Sequence, residues 1–449
     1  MKNRKTWKKG LAFGLCAVIA LSMAACSGSG DSASGGAGST GDPGTTGGKT
    51  LRVAIWDNNQ LSGLQQIADE WGSENGYDVQ FEVLDWSTYW TMLEAGVSGG
   101  EMPDVFWMHS DNATKYMGAD VLMNLNDFIE EDDAIDLENY YEGIVDLYAS
   151  DGNQYAIPKD HDTIAVIYNK AIFDKYGVEY PSDDWTWEDY AQAAQEISEK
   201  GAADGVYGTY CNVSNDQDTW YDIVYAYGGS IISDDKTKSG LDDPNTIEAM
   251  NFVANEILPA CPPQDTMAST SGDTMFLSGL IGMECQGSWM VNTYNTADNV
   301  SDYGWAMIPY ADVNGDGQCQ KEERCSIYNG LGWSMSANTQ DPEGAWGLIS
   351  ALCSEEGQTK QSELGVTMSG YIGASDAFVD AFDQMDVSPF VNVEKEGTLV
   401  FRPVSKNTAK WADNNADILV DARTNPANME ADLKQAAADM NEILAEERE

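Results

Sequence analysis

Residues 51–71 read LRVAIWDNNQLSGLQQIADEW, and their pattern decides the class of fold. Leu51 to Trp56 has the composition of a strand, and Leu64, Ile67, Ala68 and Trp71 then mark one face of a helix. Val79, Phe81 and Val83 alternate as a second strand. After a helix expected near 87–97, Pro103-Asp-Val-Phe-Trp-Met108 reads as a short buried strand. Strand, helix, strand, helix, strand implies a parallel α/β sheet with right-handed crossovers. Further on, Tyr155-Ala-Ile-Pro158 and the run from Thr163 to Asn169 flank a polar knot, Lys159-Asp-His-Asp162. Thr186-Trp-Glu-Asp189 is a capping box, opening a helix whose apolar stripe is Tyr190, Ala193, Ala194 and Ile197. Asp341-Pro342 starts another helix, and a last one is expected at about 429–446 with Leu433, Ala437, Met440 and Leu444 on one side.

A length of 449 residues suits two or three domains. The formal net charge is −50, and it becomes −55 once the five cations of the first ten residues are removed. Such a surface repels a phosphate backbone, so nucleic-acid binding is excluded. With only His109 and His161 present, His-rich metal sites and histidine triads have little to draw on.

The first 25 residues read as an export signal. A basic segment ends at Lys9, and Leu11 to Ser22 is an apolar run too short to span a bilayer comfortably. Met23-Ala24-Ala25-Cys26 resembles a bacterial lipobox, in which the cysteine is acylated after cleavage; Met23 stands where Leu is usual. The alternative is an ordinary signal peptide with an incidental cysteine. Residues 26–49, almost all Gly, Ser, Thr and Asp after Cys26, form a tether with a reach of roughly 25 Å. Gly48-Lys49-Thr50 is not a P-loop, because Pro43 occupies the place of its first glycine.

Several segments, in order, resemble the extracellular sugar-binding proteins of ABC importers (solute-binding protein family 1, similar to maltose-binding protein). They are Pro103 to Trp107, Tyr155 to Pro158 running into Val166-Ile-Tyr-Asn-Lys170, and Trp185 to Asp189. Met275-Phe-Leu-Ser-Gly, Gly287-Ser-Trp289, Gly332 to Ala337, Pro342 to Trp346 and Ser354 to Gly357 continue the likeness. It implies a two-lobed α/β fold of the periplasmic-binding-protein type II, closing over a ligand in a cleft between the lobes. By that analogy the N-terminal lobe is 50–160 plus 288–336, and the C-terminal lobe is 164–285 plus 340–449. The implied ligand is a neutral mono- or oligosaccharide, delivered to the permease subunits of an importer. The protein would be a monomer at the outer face of a Gram-positive membrane, touching it only through the lipid on Cys26.

A pyranose offers polar edges and apolar faces, so its site needs aromatic rings beside carboxylates and amides. The chain carries 14 Trp and 21 Tyr. Loops at the carboxyl ends of strands are the expected places for a ligand, which selects Asp57, Trp86, Trp107 and Asp111. The family likeness adds Asp160 and Asp162 at the first crossing, Trp289 at the second, Trp333 near the third, and Arg402 and Trp411. For each Trp the competing reading is a core residue.

No enzyme is indicated and no catalytic cofactor is expected. An acidic chain supplies glycosidase-like carboxylate pairs without catalytic purpose. Gly96-Val-Ser98-Gly-Gly100 fits the nucleophile-elbow pattern, but it follows a helix where the elbow follows a strand. A surface adhesin remains the alternative binding function. Among the six cysteines after Cys26, only Cys319 and Cys325 could be paired on local grounds, free thiols being the other reading. Residues 312–323 match the calcium-loop pattern D-x-[DN]-x-[DN]-G-x₅-E at every specified position. Asp312, Asn314, Asp316 and Glu323 would supply side-chain oxygens, Gln318 its carbonyl, and Gln320 a water-mediated contact, giving a structural Ca²⁺ site. The expected strand before the loop, and Cys319 within it, depart from the EF-hand pattern, and a plain acidic turn is the competing reading.

Overall fold

The computed structural model describes residues 48–211, 217–422 and 425–448. By contacts the chain divides into residues 1–47 and a body, Gly48–Glu449. The signal segment, Cys26 and the tether up to Gly47 lie outside the described residues.

The body begins with β1 (Lys49–Ile55), α1 (Asn58–Asn75), β2 (Tyr77–Val83), α2 (Trp86–Gly99), β3 (Val105–Met108) and α3 (Ser110–Met117). Its middle contains β4 (Ala156–Pro158), β5 (Ile164–Asn169), α4 (Trp187–Gly201), α5 (Trp220–Ala226), β6 (Met283–Gly287) and β7 (Tyr303–Met307). Then come β8 (Cys325–Tyr328), β9 (Gly332–Met335), α6 (Pro342–Cys353), α7 (Pro389–Glu396), β10 (Thr398–Phe401), α8 (Thr408–Ala422) and α9 (Met429–Glu446). The local signals work as expected. Asp57 caps α1 by accepting from the Asn59 N–H at 2.8 Å, and both halves of the Thr186–Asp189 capping box form at the start of α4. Pro342 occupies the first turn of α6 behind the Asp341 cap.

One sheet has the order β2-β1-β3-β9-β4. Its first three strands are parallel, with Val53 opposite both Phe81 and Val105, while β9 runs antiparallel to β3 and β4. Leu51, Val53 and Ile55 are fully buried under α1 and its neighbours, each such side chain stabilising the fold by about 1.5–3 kcal/mol. A second sheet centres on β5, antiparallel to β6 and β7, and β8 pairs in parallel with β10 beside it. Two separate apolar cores result, one per lobe.

The lobe boundaries differ from those expected. Segment 288–327 does not return to the first lobe: β7 pairs along β5, and Val291, Tyr294, Trp305 and Ile327 are buried in the second core. Conversely α6 packs on the first sheet, burying Ala345, Leu348, Ile349 and Leu352 there. The boundary is set by which sheet edge is open to pairing, and that is a property of both lobes together. The chain crosses between the cores near 158–164, 327–332 and 366–369. These crossings lie side by side, the Asp162 N–H donating to Asn329 O at 2.8 Å and the His161 N–H to Met368 O at 3.3 Å.

Candidate ligand-binding site

The polar knot is the buried hub of the crossings rather than a ligand wall. Lys159, Asp160, His161 and Asp162 are all buried. The Asp160 carboxylate accepts from Lys159 Nζ at 2.6 Å and from the Leu331 N–H at 2.6 Å. Lys159 also donates to Gln60 Oε1 at 2.7 Å and stands 4.8 Å from the centre of the Trp107 ring. Asp162 accepts from Ser288 Oγ at 3.0 Å, and burial, reinforced by Asp160, pushes its carboxyl up to about 8. His161 Nε2 lies 2.8 Å from Glu394 Oε1, which ties the crossing to α7. Asp160 and Asp162 therefore fasten the crossings, because carboxyl groups buried away from water need such hydrogen-bond partners.

The tryptophans divide sharply. Trp107 and Trp333 are completely buried and Trp411 is 1% exposed, so none offers a face to a ligand. The strands and helix that carry them turn these rings inward, and the Trp411 Nε1–H donates to Ser405 Oγ at 2.9 Å. Trp86, at the first position of α2, is 44% exposed. It meets Trp56 edge to face at 5.1 Å and Trp90 at 5.4 Å, forming an aromatic rim beyond the carboxyl ends of β1 and β2. Trp289 is half-buried and lies over Gly287, where a Cβ would come within 1.8 Å of its ring. Asp57 remains at the same rim, half-buried and holding the Gln60 amide at 3.0 Å. Asp111 and Arg402 come together as a pair, with Arg402 Nε 2.9 Å from Asp111 Oδ1.

The second lobe holds a cavity of about 310 Å³ that the motif reading did not anticipate. Tyr210, Asp218, Thr219, residues 267–273, Glu284, Cys285 and Gln286 line it. Glu284 is 1% exposed and accepts from the Tyr294 hydroxyl at 2.8 Å. Burial pushes its carboxyl up to about 8, so at neutral pH it is largely protonated and can donate a hydrogen bond. The signal was available: a lone acid inside the apolar strand Met283-Glu-Cys-Gln-Gly287 is costly unless the fold gives it a polar pocket.

The loop 312–323 folds into a ring. The Gly317 N–H donates to Asp312 Oδ2 at 3.1 Å, the Asp316 N–H to Asn314 Oδ1 at 2.9 Å, and the Gln318 N–H to Asp316 Oδ1 at 2.8 Å. Glu323 folds back, accepting from the Gln320 N–H at 2.9 Å and from Asn314 Nδ2 at 3.1 Å. Asp312 Oδ1 is shielded from solvent and has no hydrogen-bond partner, which suits a cation. Yet among the described residues no group of three or more His, Cys, Asp or Glu side chains is placed to hold a metal. The expected Cys319–Cys325 pair is not formed. Cys325 is buried in β8 with its thiol directed at Glu322 O, whereas Cys319 is exposed, and both are free. Strand β8 aims the Cys325 side chain into the second core, away from the loop.

Among the described residues no helix is long and apolar enough to cross a membrane. A family model described as bacterial extracellular solute-binding protein matches residues 56–359. A maltotriose-binding protein of Pyrococcus abyssi is 26% identical over 326 residues, 72% of this chain and 66% of that protein. A diacetylchitobiose binding protein of Streptomyces coelicolor is 26% identical over 301 residues, 64% of this chain and 66% of that protein. The fold is similar to that of an ABC substrate-binding protein of Listeria monocytogenes in complex with cycloalternan. That TM-score is 0.76 at 21% identity, covering 89% of this chain and 99% of the other. All three are named for binding, in keeping with the reading that this chain is no enzyme. With its two α/β lobes, its side-by-side crossings and this match over most of its length, the chain belongs to the bacterial extracellular solute-binding protein family.

Proposed function

We propose that this protein captures a neutral sugar or oligosaccharide by closure of its lobes and delivers it to the permease of an ABC importer. The observation that carries the reading is the cavity beside β6, walled by hydroxyls, an amide and carboxyls and free of any cationic side chain. Such a lining suits the many hydroxyl groups of an uncharged saccharide and disfavours an anion. In the first lobe the exposed Trp86 would supply a stacking surface, with Asp57 as a hydrogen-bond acceptor at the same rim, and half-buried Trp289 would offer a ring from the second lobe. The maltotriose- and diacetylchitobiose-binding relatives support the same ligand class.

The chain would act as a monomer, exported and held at the outer membrane face by an acyl group on Cys26. The loop 312–323 would take Ca²⁺ through Asp312, Asn314, Asp316, Glu323 and the Gln318 carbonyl, with Gln320 acting through water. The ion would neutralise the loop's carboxylates, and its arrival would require Asn314 and Glu323 to exchange their mutual bond for the metal. A thermal-shift screen of neutral mono- and oligosaccharides tests the function, since a ligand at about 100 times its Kd stabilises by about 2.7 kcal/mol. A shift by at least one such sugar, and none by uronic acids, is expected. Shifts with acidic or peptide ligands alone would refute it. An adhesin would bind sugar equally well, but its deletion would leave cellular uptake of that sugar unchanged.

A further inference from the structure

His161 is fully buried in the first crossing, and both of its ring nitrogens face hydrogen-bond acceptors. Nδ1 lies 2.5 Å from the backbone oxygen of Ser369 on the third crossing, and Nε2 lies 2.8 Å from Glu394 Oε1 on α7. A peptide oxygen has no proton to give. Glu394 reaches solvent with 17% of its side chain, and its other oxygen accepts from the Tyr141 hydroxyl at 3.1 Å, the arrangement of a carboxylate. A neutral imidazole carries one N–H and one lone pair, so it would satisfy one of these partners and set its lone pair against the other. The doubly protonated ring donates to both.

The surroundings favour that charge. Burial works against it, but the bond to Glu394, the charge of that carboxylate, the Ser369 oxygen and Asp162 outweigh burial, and the ring is more basic than an ordinary histidine. The rings of Tyr141 and Tyr328 flank it, with centres 4.6 and 5.5 Å away, and burial pushes both phenols up, so they stay neutral. Asp162 ionises only near 8, so its support for the ring grows as pH rises. His109 shows the opposite arrangement. Its Nδ1 accepts from the Asp111 N–H at 3.2 Å, which needs a bare nitrogen, and burial pushes its ring down to about 4.

We propose that His161 stands in the folded protein as a buried imidazolium and is a pH-sensitive joint, fastening the first crossing at once to the third crossing and to α7. Once the ring is neutral it has a single N–H for two acceptors. The charged Glu394 keeps that N–H, the lone pair left on Nδ1 faces the Ser369 oxygen, and the contact between the first and third crossings opens. Thr163 Oγ1, which donates to the Phe390 oxygen at 2.7 Å, still ties the first crossing to α7 at high pH. The fold keeps a proton here that the unfolded chain releases above about 6.5. The stabilisation is therefore complete below that value and is lost as pH rises through the ring's higher folded value. No ligand takes part, so the joint stands or falls separately from the sugar reading.

Nitrogen NMR of the full chain, with isotope-labelled histidine and no added sugar, tests this, because His109 and His161 are its only histidines. His109→Asn, which keeps an acceptor for the Asp111 N–H, identifies the His161 signals. At pH 7 both ring nitrogens of His161 should carry a bonded proton. Glu394→Gln, nearly isosteric, should move the ring's titration down by about one pH unit or more. The Gly370 and Tyr371 amides beside Ser369 are held by Gln358 Oε1 and Ser369 Oγ. In the wild type they should exchange with solvent several-fold faster above the titration than below it, after correction for the intrinsic effect of pH. Should Glu394→Gln fail to fold, the wild-type signals and exchange decide alone. A bare ring nitrogen on His161 at pH 7 would overturn the proposal, as would unchanged amide protection across the titration or a folded Glu394→Gln protein whose ring titrates like the wild type.

Discussion

Replacing Glu284 by Gln should change how stability depends on pH, and the structure sets both the sign and the size. Glu284 is 1% exposed, and burial outweighs the bonds from Tyr294 and Gln286 to push its carboxyl from 4.5 up to about 8. Between those values the folded protein keeps a proton that the unfolded chain has released. Unfolding therefore becomes easier as pH rises, by about 1.4 kcal/mol per pH unit for this single group. Gln carries no such proton. From pH 5 to pH 8 the stability of the wild type relative to Glu284→Gln should fall by roughly 3–4 kcal/mol. Asp162, also pushed up to about 8, titrates in both proteins and cancels in the difference. Urea unfolding at pH 5, 6, 7 and 8 measures it, with equal slopes against denaturant confirming that the same surface is exposed. Parallel pH profiles for the two proteins would show that Glu284 is ionised in the fold and that the protonated donor assigned to the cavity is wrong.

Trp333→Ala and Trp86→Ala should separate core from rim. The first, fully buried, should lower stability by about 3–5 kcal/mol, while the second should keep its melting temperature and lose about 1–3 kcal/mol of sugar affinity. In the native protein a thiol reagent should label Cys319 quickly and leave buried Cys325 untouched; protection of both would point to a bond between them. Calorimetric titration of metal-free protein should show calcium binding at millimolar concentration or below, abolished by Asp312→Ala and weakened by Glu323→Gln, and no heat would reduce the loop to a turn. Cys26→Ala should release the protein from membranes that retain the wild type through a high-salt wash.

Local periodicity and capping chemistry made the elements legible. The strand at 51–56, the capping box at Thr186 and the helix behind Asp341-Pro342 rest on contacts within a few residues, so the sequence suffices for them. The family was legible for a similar reason, being carried by short segments in a fixed order. The loop 312–323 likewise folds on its own hydrogen bonds.

What lay beyond the sequence was which surface each side chain would face. Trp86 and Trp107 both follow or end strands at the same rim, yet one is 44% exposed and the other fully buried, because α2 begins at the surface while β3 is central in its sheet. The assignment of β7 and α6 to opposite lobes depends on which sheet edge each meets, and the pairing of Asp111 with Arg402 spans 291 residues. Composition and spacing on their own settled the α/β elements, the acidic exterior and the order of the family segments. Burial, the protonated Glu284 and the bridge between lobes were decided only by tertiary structure, since desolvation and long-range pairing exist only once distant segments have packed.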